Sequence, residues 1–168
     1  MTQDTESSEV RYSTTNNLSF MYQLYCSYIL LFKNNDGVAE FMPLPVLKRS
    51  LELLVRKHYP PVAGWFEVEG TEIDVVYYND KFNDPPFTTQ VLDIDYNEAA
   101  RHVHESNEEM FVPKAPLGVI SSTNRSIPMF LVKATYLESN QGMVLGVNYH
   151  HSLMDGASFW HFMSNWAF

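Results

Sequence analysis

The chain is poor in cysteine, in positive charge and in long apolar runs. Cys26 is the single cysteine of 168 residues, which excludes an intrachain disulfide framework and a cysteine-rich zinc site. Lys and Arg number 11 against 20 Asp and Glu, and this balance argues against binding to nucleic acid or to an anionic membrane. The longest apolar run, 21–32, is interrupted by Gln23 and Ser27 and is too short to span a bilayer. No secretory signal is visible at the N-terminus, so we expect an acidic cytoplasmic protein.

The apolar residues are numerous enough for a core and are spaced as in strands and helices. Hydrophobic residues make up 45% of the chain, and a domain of this length buries roughly 70% of its unfolded surface. The pattern predicts strands over residues 18–33, 62–68, 72–78, 128–136 and 142–149. It predicts helices over residues 45–59, 99–109 and 157–168, with loops at 79–89 and 112–128. Residues 1–14 are polar and predict a disordered tail, which leaves 15–168 as one α+β domain.

The residues best suited to chemistry lie between the last predicted strand and the last predicted helix. This junction has the sequence HHSLMDG, from His150 to Gly156. A histidine at a sheet edge can face a cleft, and its ordinary pKa of about 6.5 suits a base at cytosolic pH. Asp155 is placed to cap the following helix through the amide of Ser158 or its neighbours. Gly156 allows either a turn of the backbone or the close approach of a ligand.

A second histidine group is interpreted differently. His102 and His104 are followed by Glu105, Glu108 and Glu109. The surrounding charge and the weak spacing favour a solvated surface over a metal site, so we expect no metal.

Three segments resemble a known enzyme family. Residues 151–156 match the HxxxDG motif of the BAHD family of coenzyme A-dependent acyltransferases, found in plants and fungi, and 155–167 resemble its DGxSxxxFxxxWA continuation. Upstream, LKRSL at 47–51 and YPPVAG at 59–64 are similar to the family's LKxSL…YPxAG stretch. The segments occur in the family's order and cover most of 18–168. The resemblance implies half of a chloramphenicol-acetyltransferase-like fold, a mixed or antiparallel sheet flanked by helices.

The match departs from the family in three places. Trp65 follows the Ala-Gly pair, where the family commonly has Arg. The doubled His150-His151 also fits the HHxxxDG motif of peptide-synthetase condensation domains, which share the fold. The DFGWG-like motif of the family's second half does not occur in the sequence. We therefore expect 15–168 to be an N-terminal domain whose site a C-terminal domain completes.

The resemblance also implies a role for each junction residue. His151 corresponds to the general base that takes a proton from an alcohol or amine acceptor. Asp155 is implied to hold the shape of the loop, turned away from the pocket and paired with an arginine, and Gly156 to keep space beside the histidine. Strand alternation is expected to point His150 to the opposite side, as packing or support for the site. Acyl-CoA is the implied co-substrate, with no bound cofactor.

Two other interpretations remain open at the level of sequence. The chain could be a non-catalytic truncated homologue that acts as a binding or remnant protein, or a fragment of a peptide-synthetase condensation domain. A reading frame that continues beyond Phe168 into a DFGWG-like segment would favour the acyltransferase. A stop codon there would favour the remnant.

Overall fold

The computed structural model describes residues 9–14, 25–69, 72–78, 84–105, 108–114 and 128–167. The strands are β1 (Glu9–Thr14), β2 (Tyr25–Lys33), β3 (Trp65–Glu69), β4 (Glu72–Tyr78), β5 (Phe87–Leu92), β6 (Phe130–Leu137) and β7 (Gly142–His150). The helices are α1 (Leu44–His58), α2 (Tyr96–His104) and α3 (Gly156–Trp166), with 3-10 turns at Pro60–Ala63, Glu108–Met110 and Glu138–Asn140. Within these ranges no helix combines the length and the apolar character that a bilayer span requires.

The described strands form two sheets. One has the order β1-β4-β3 and the other β2-β7-β6-β5. The short connections between the strands predicted at 62–68 and 72–78, and at 128–136 and 142–149, favour hairpins, and β3–β4 and β6–β7 are antiparallel pairs. In the larger sheet β7 lies between β2 and β6, whereas β5 pairs with β6 in parallel.

Strand β7 is the centre of the core. All nine of its residues are buried, because both faces of the larger sheet are covered. On one face Phe162 of α3 joins Val147 in the main apolar cluster. On the other face Phe111 joins Val144 in a second cluster. Packing on both faces therefore fixes the position of the strand that precedes the junction.

Gly64 and Gly146 are among the glycines that lie where backbones approach closely. A Cβ on Gly64 would lie 2.6 Å from the carbonyl oxygen of Val76 on β4. A Cβ on Gly146 would overlap the carbonyl group of Phe111. The glycine of the YPPVAG segment therefore has a packing reason that is independent of any ligand.

The structure differs from the predicted tail at residues 9–14, which form β1 along β4. Val10, Tyr12 and Thr14 have high strand propensity, and the edge of β4 supplies the backbone partners that a polar terminus lacks on its own. Residues 1–8, the predicted strand positions 18–24 and most of the predicted loop at 112–128 lie outside the described part of the chain.

The predicted loop at 79–89 is wrong at its end, since β5 begins at Phe87. The strand follows two prolines and has three exposed residues among its six, so it lacks the clean alternation of apolar and polar residues that marks a strand. It is formed by pairing with β6, from Phe87 opposite Val132 to Leu92 opposite Leu137.

The second helix begins earlier than the predicted range of 99–109. Asp95 caps it, because its Oδ1 accepts the amide of Glu98 at 2.7 Å. The helix then ends at His104. The cap signal therefore fixes the start of α2 better than its weak apolar spacing does.

Candidate active site

The junction after β7 is a short turn held at both ends by backbone hydrogen bonds. At its start the amide of His150 donates to the carbonyl oxygen of Met129 at 2.8 Å. The amide of Leu153 donates to the carbonyl oxygen of His150 at 2.9 Å and closes the turn. At its end the amide of Phe159 donates to the carbonyl oxygen of Asp155 at 2.9 Å, which begins α3.

His150 belongs to the interior of this turn. Its side chain is 1% exposed, and its ring contacts the ring of Tyr25 edge-on at 5.1 Å between centroids. The amide of Ser152 donates to Nδ1 at 3.2 Å. A backbone amide can only donate, so Nδ1 accepts through its lone pair and the proton of the neutral ring is on Nε2. His150 therefore shapes the backbone on either side of His151.

His151 is placed differently from its neighbour. Its side chain is half-buried, and among the described residues its ring makes no hydrogen bond. It follows the last paired residue of β7, so the most buried strand of the sheet fixes its backbone. The structure thus separates the two histidines into a buried ring and a partly exposed one.

Asp155 caps α3, as the sequence pattern predicted. Its Oδ1 accepts the amide of Ser158 at 2.8 Å. This hydrogen bond, with a smaller contribution from the charge of His151, holds the pKa of the exposed carboxyl below its usual range. The side chains of Arg49, Arg56 and Arg101 pair with other acids, so the implied arginine partner of Asp155 is not among these described arginines.

Replacing Asp155 tests the cap. We expect Asp155→Ala to lower the melting temperature, whereas Asp155→Asn retains most of it because asparagine also accepts the Ser158 amide. The folded pKa is lowered from an unfolded value of about 3.9. The carboxylate therefore stabilises the fold fully above that value, and less as pH falls through the folded pKa. Melting curves of both variants at pH 7 and pH 3 measure this, and equal losses for the two variants at pH 7 would contradict the cap.

The backbone of the turn does not require a glycine at Gly156, and a turn was one of the two roles predicted for this residue. It is the first residue of α3 and has no positive φ, unlike Gly37 at φ 61°. A Cβ at Gly156 would be 3.7 Å from the hydroxyl oxygen of Tyr28, an ordinary contact. Neither backbone conformation nor crowding within the described residues requires glycine here.

Tyr28 is a neighbour of the junction. The sequence pattern favours strand core for the tyrosines between 22 and 28 over the lining of a pocket. The ring of Tyr28 stacks on Phe159 at 4.3 Å and contacts Trp160 edge-on at 5.4 Å. It also stacks on the ring of Tyr149 at 6.1 Å, and burial raises the pKa of the Tyr149 hydroxyl. These contacts depend on the pairing of β2 with β7, for which the local sequence carries no signal.

The separated motif segments meet around α3. Trp166 Nε1 donates to Ser50 Oγ of the LKRSL segment at 2.9 Å. Asn165 Nδ2 donates to the hydroxyl of Tyr59 at 2.6 Å. The ring of Tyr59 contacts that of Phe162 at 5.0 Å. The YPPVAG segment and the junction also line one cavity of about 420 Å³, with Tyr59 and Met154 among its lining residues.

Known proteins are similar to this chain in sequence. A family model described as the Transferase family matches residues 2–168. Phenolic glucoside malonyltransferase 1 of Arabidopsis thaliana is 28% identical over 145 residues, or 83% of this chain and 29% of that protein. Malonyl-coenzyme A:anthocyanin 3-O-glucoside-6''-O-malonyltransferase of Dahlia pinnata is 28% identical over 130 residues, or 74% of this chain and 28% of that protein. The chain thus spans less than a third of the length of these relatives.

Solved structures share the fold. TRI101 of F. sporotrichioides, complexed with coenzyme A and T-2, matches with a TM-score of 0.71 at 15% identity, over 94% of this chain and 38% of that chain. TRI101 of F. graminearum, complexed with coenzyme A and T-2 mycotoxin, matches with a TM-score of 0.67 at 18% identity and the same coverage. The predicted chloramphenicol-acetyltransferase-like half, with a mixed sheet flanked by helices, is confirmed.

Proposed function

The chain belongs to the Transferase family, the BAHD acyltransferases, and we propose that it carries the general base of their reaction. In this proposal an acyl group moves from acyl-CoA to an alcohol or amine acceptor, and His151 is the base. The chain from β1 (Glu9–Thr14) onward is the N-terminal domain of the enzyme. The chain spans less than a third of its malonyltransferase relatives, and in this proposal a further domain supplies most contacts to coenzyme A.

The proposed reaction has two proton transfers at one imidazole. A neutral nitrogen of His151 takes the proton from the acceptor's O–H or N–H as the acceptor attacks the thioester carbonyl carbon. The tetrahedral intermediate collapses with cleavage of the carbon–sulfur bond. The imidazolium then gives its proton to the thiolate of coenzyme A, so the histidine returns to its neutral form. Base catalysis of this kind contributes roughly 10²–10⁴-fold to the rate.

The different surroundings of the two histidines support His151, rather than His150, as the general base. His150 is buried and its Nδ1 accepts the Ser152 amide, so this nitrogen is not available to take a proton from a substrate. His151 is half-buried, and no described residue forms a hydrogen bond with its ring. Asp155 is committed to the helix cap. This favours a base that acts without a carboxylate partner over a Ser-His-Asp type of triad.

Thiol release from acyl-CoA tests the proposal. We expect the protein expressed from the whole reading frame to release coenzyme A from malonyl- or acetyl-CoA only when an alcohol or amine acceptor is present. We expect the 168-residue chain alone to release thiol no faster than buffer, because it spans only part of its relatives. Acceptor-dependent turnover by the 168-residue chain would contradict the proposal that a further domain completes the active site. No turnover by the whole protein with a broad acceptor panel would favour the non-catalytic interpretation.

A further inference from the structure

A second cavity lies on the sheet face opposite α1 and α3. It has a volume of about 430 Å³ and lies between β5, β6 and the segment 109–114. Lys133 of β6 lines it, while the adjacent Val132 and Ala134 are in the main core on the other face. Strand alternation accounts for this placement of Lys133. The volume is within the range of small-molecule sites, about 300–1,000 Å³.

Two ammonium groups share this cavity. Lys133 and Lys114 both line it and are close enough for their charges to repel. Lys133 Nζ donates one hydrogen bond, to the carbonyl oxygen of Met110 at 2.8 Å, and an ammonium has three donors. Within the described ranges neither lysine forms an ion pair. The exposed Glu109 also lines the cavity, so the charged side chains that line it within the described part of the chain sum to one positive charge, in a protein of net charge −9.

An anion bound beside Lys133 would stabilise its ammonium group. Desolvation lowers the pKa of Lys133, and repulsion from Lys114 lowers it further by a smaller amount. The charged form of the side chain is therefore less stable here than in water. A partly desolvated charge is stabilised when an opposite charge pairs with it. Lysine pairs well with phosphate as a point charge, and the cavity has room for more than one phosphate group.

We propose that this cavity binds a phosphorylated small molecule through Lys114 and Lys133, at a site separate from His151. Lys133 is paired with Gly146 of β7, four residues before His150, which places Lys133 roughly 13 Å along the strand from the end of β7. The diphosphate of an acyl-CoA and a free phosphorylated metabolite share this chemistry. The site therefore goes beyond the proposed base, and its test does not depend on acyl transfer.

Calorimetric titration of the 168-residue chain with pyrophosphate, at low ionic strength, tests the site. We expect Lys133→Met and Lys114→Met each to weaken binding about tenfold, the usual size for loss of a hydrogen bond to a charged group. Lys57→Met is the matched control, because it removes the same charge from an exposed position in the last turn of α1. We expect this control to bind like the parent chain.

We expect the Lys133→Met variant to fold. Gln90 Nε2 also donates to the Met110 carbonyl oxygen, at 2.8 Å, so this oxygen keeps a partner in Lys133→Met. If Lys133→Met fails to fold, Lys114→Met decides the question, since Lys114 is exposed. Absence of pyrophosphate binding by the parent chain, or an equal loss in Lys57→Met, overturns the proposal.

Titration with coenzyme A distinguishes the source of the phosphate, and two controls accompany it. Coenzyme A binding that weakens in Lys133→Met supports the site and identifies the acyl donor as its ligand. Coenzyme A binding unaffected by Lys133→Met, with pyrophosphate binding lost, supports a separate phosphorylated ligand. Citrate that binds as tightly as pyrophosphate overturns the assignment to phosphate. We expect His151→Ala to bind pyrophosphate normally, so failure of the proposed base leaves this result unchanged.

Discussion

Replacing His151 with alanine is expected to lower acceptor-dependent release of coenzyme A by roughly 10²–10⁴-fold, the usual contribution of a general base. The fold should remain intact, because the ring is half-buried and makes no hydrogen bond within the described part of the chain. The effect should appear in kcat rather than in KM for the acyl donor, since the base acts in the transition state. Steady-state thiol release by the whole-frame protein, with a melting curve of the variant, measures both expectations.

The matched control for this variant is His161→Ala. His161 is exposed on α3, and its Nε2 lies 3.2 Å from Asn165 Nδ2. We expect this variant to keep the parental kcat. If His151→Ala keeps a kcat near that of His161→Ala while both proteins are folded, the base is another residue.

Replacing Phe159 with alanine is expected to lower the free energy of unfolding by about 3–5 kcal/mol, the range for truncation of a buried Phe. Phe159 is 0% exposed and stacks on Tyr28 at 4.3 Å and on Tyr149 at 4.9 Å. Its loss leaves a cavity under the first turn of α3, three residues after Gly156. Urea denaturation of the 168-residue chain measures the change.

The adjacent Trp160 provides the control for this loss. Its side chain is 48% exposed, although it contacts the rings of Tyr28 and Phe159. We expect Trp160→Ala to cost clearly less than Phe159→Ala. Equal losses in the two variants would mean that α3 does not pack on the sheet through Phe159.

Periodic segments of the fold could be predicted from the sequence, and segments defined by distant pairing could not. The apolar spacing from Phe159 to Trp166 predicted α3, and the β6–β7 hairpin followed from two apolar runs joined by a short polar connection. In contrast, β5 carries Val91 with 76% exposure and no regular alternation. Its conformation depends on parallel pairing with β6, a strand that is distant in sequence and places Val132 opposite Phe87.

The features of the candidate site also differ in whether the local sequence predicts them. The junction and its helix cap could be predicted, because Asp155 and the following apolar stripe are close in sequence. The burial of His150 needed the contacts of Tyr25 and Met129. The approach of the Tyr28 hydroxyl to Gly156 needed the register of β2 on β7. Such contacts join residues that are far apart in sequence, so local patterns do not specify them.

Chemical rescue of the His151→Ala variant tests the central claim most directly. Added imidazole can enter the space left by the side chain and act as the missing base. The account predicts that acceptor-dependent release of coenzyme A by His151→Ala rises with imidazole concentration, while His161→Ala shows no such rise. A His151→Ala protein that is folded and binds acyl-CoA, yet gains no rate from imidazole, would contradict the assignment of His151 as the general base.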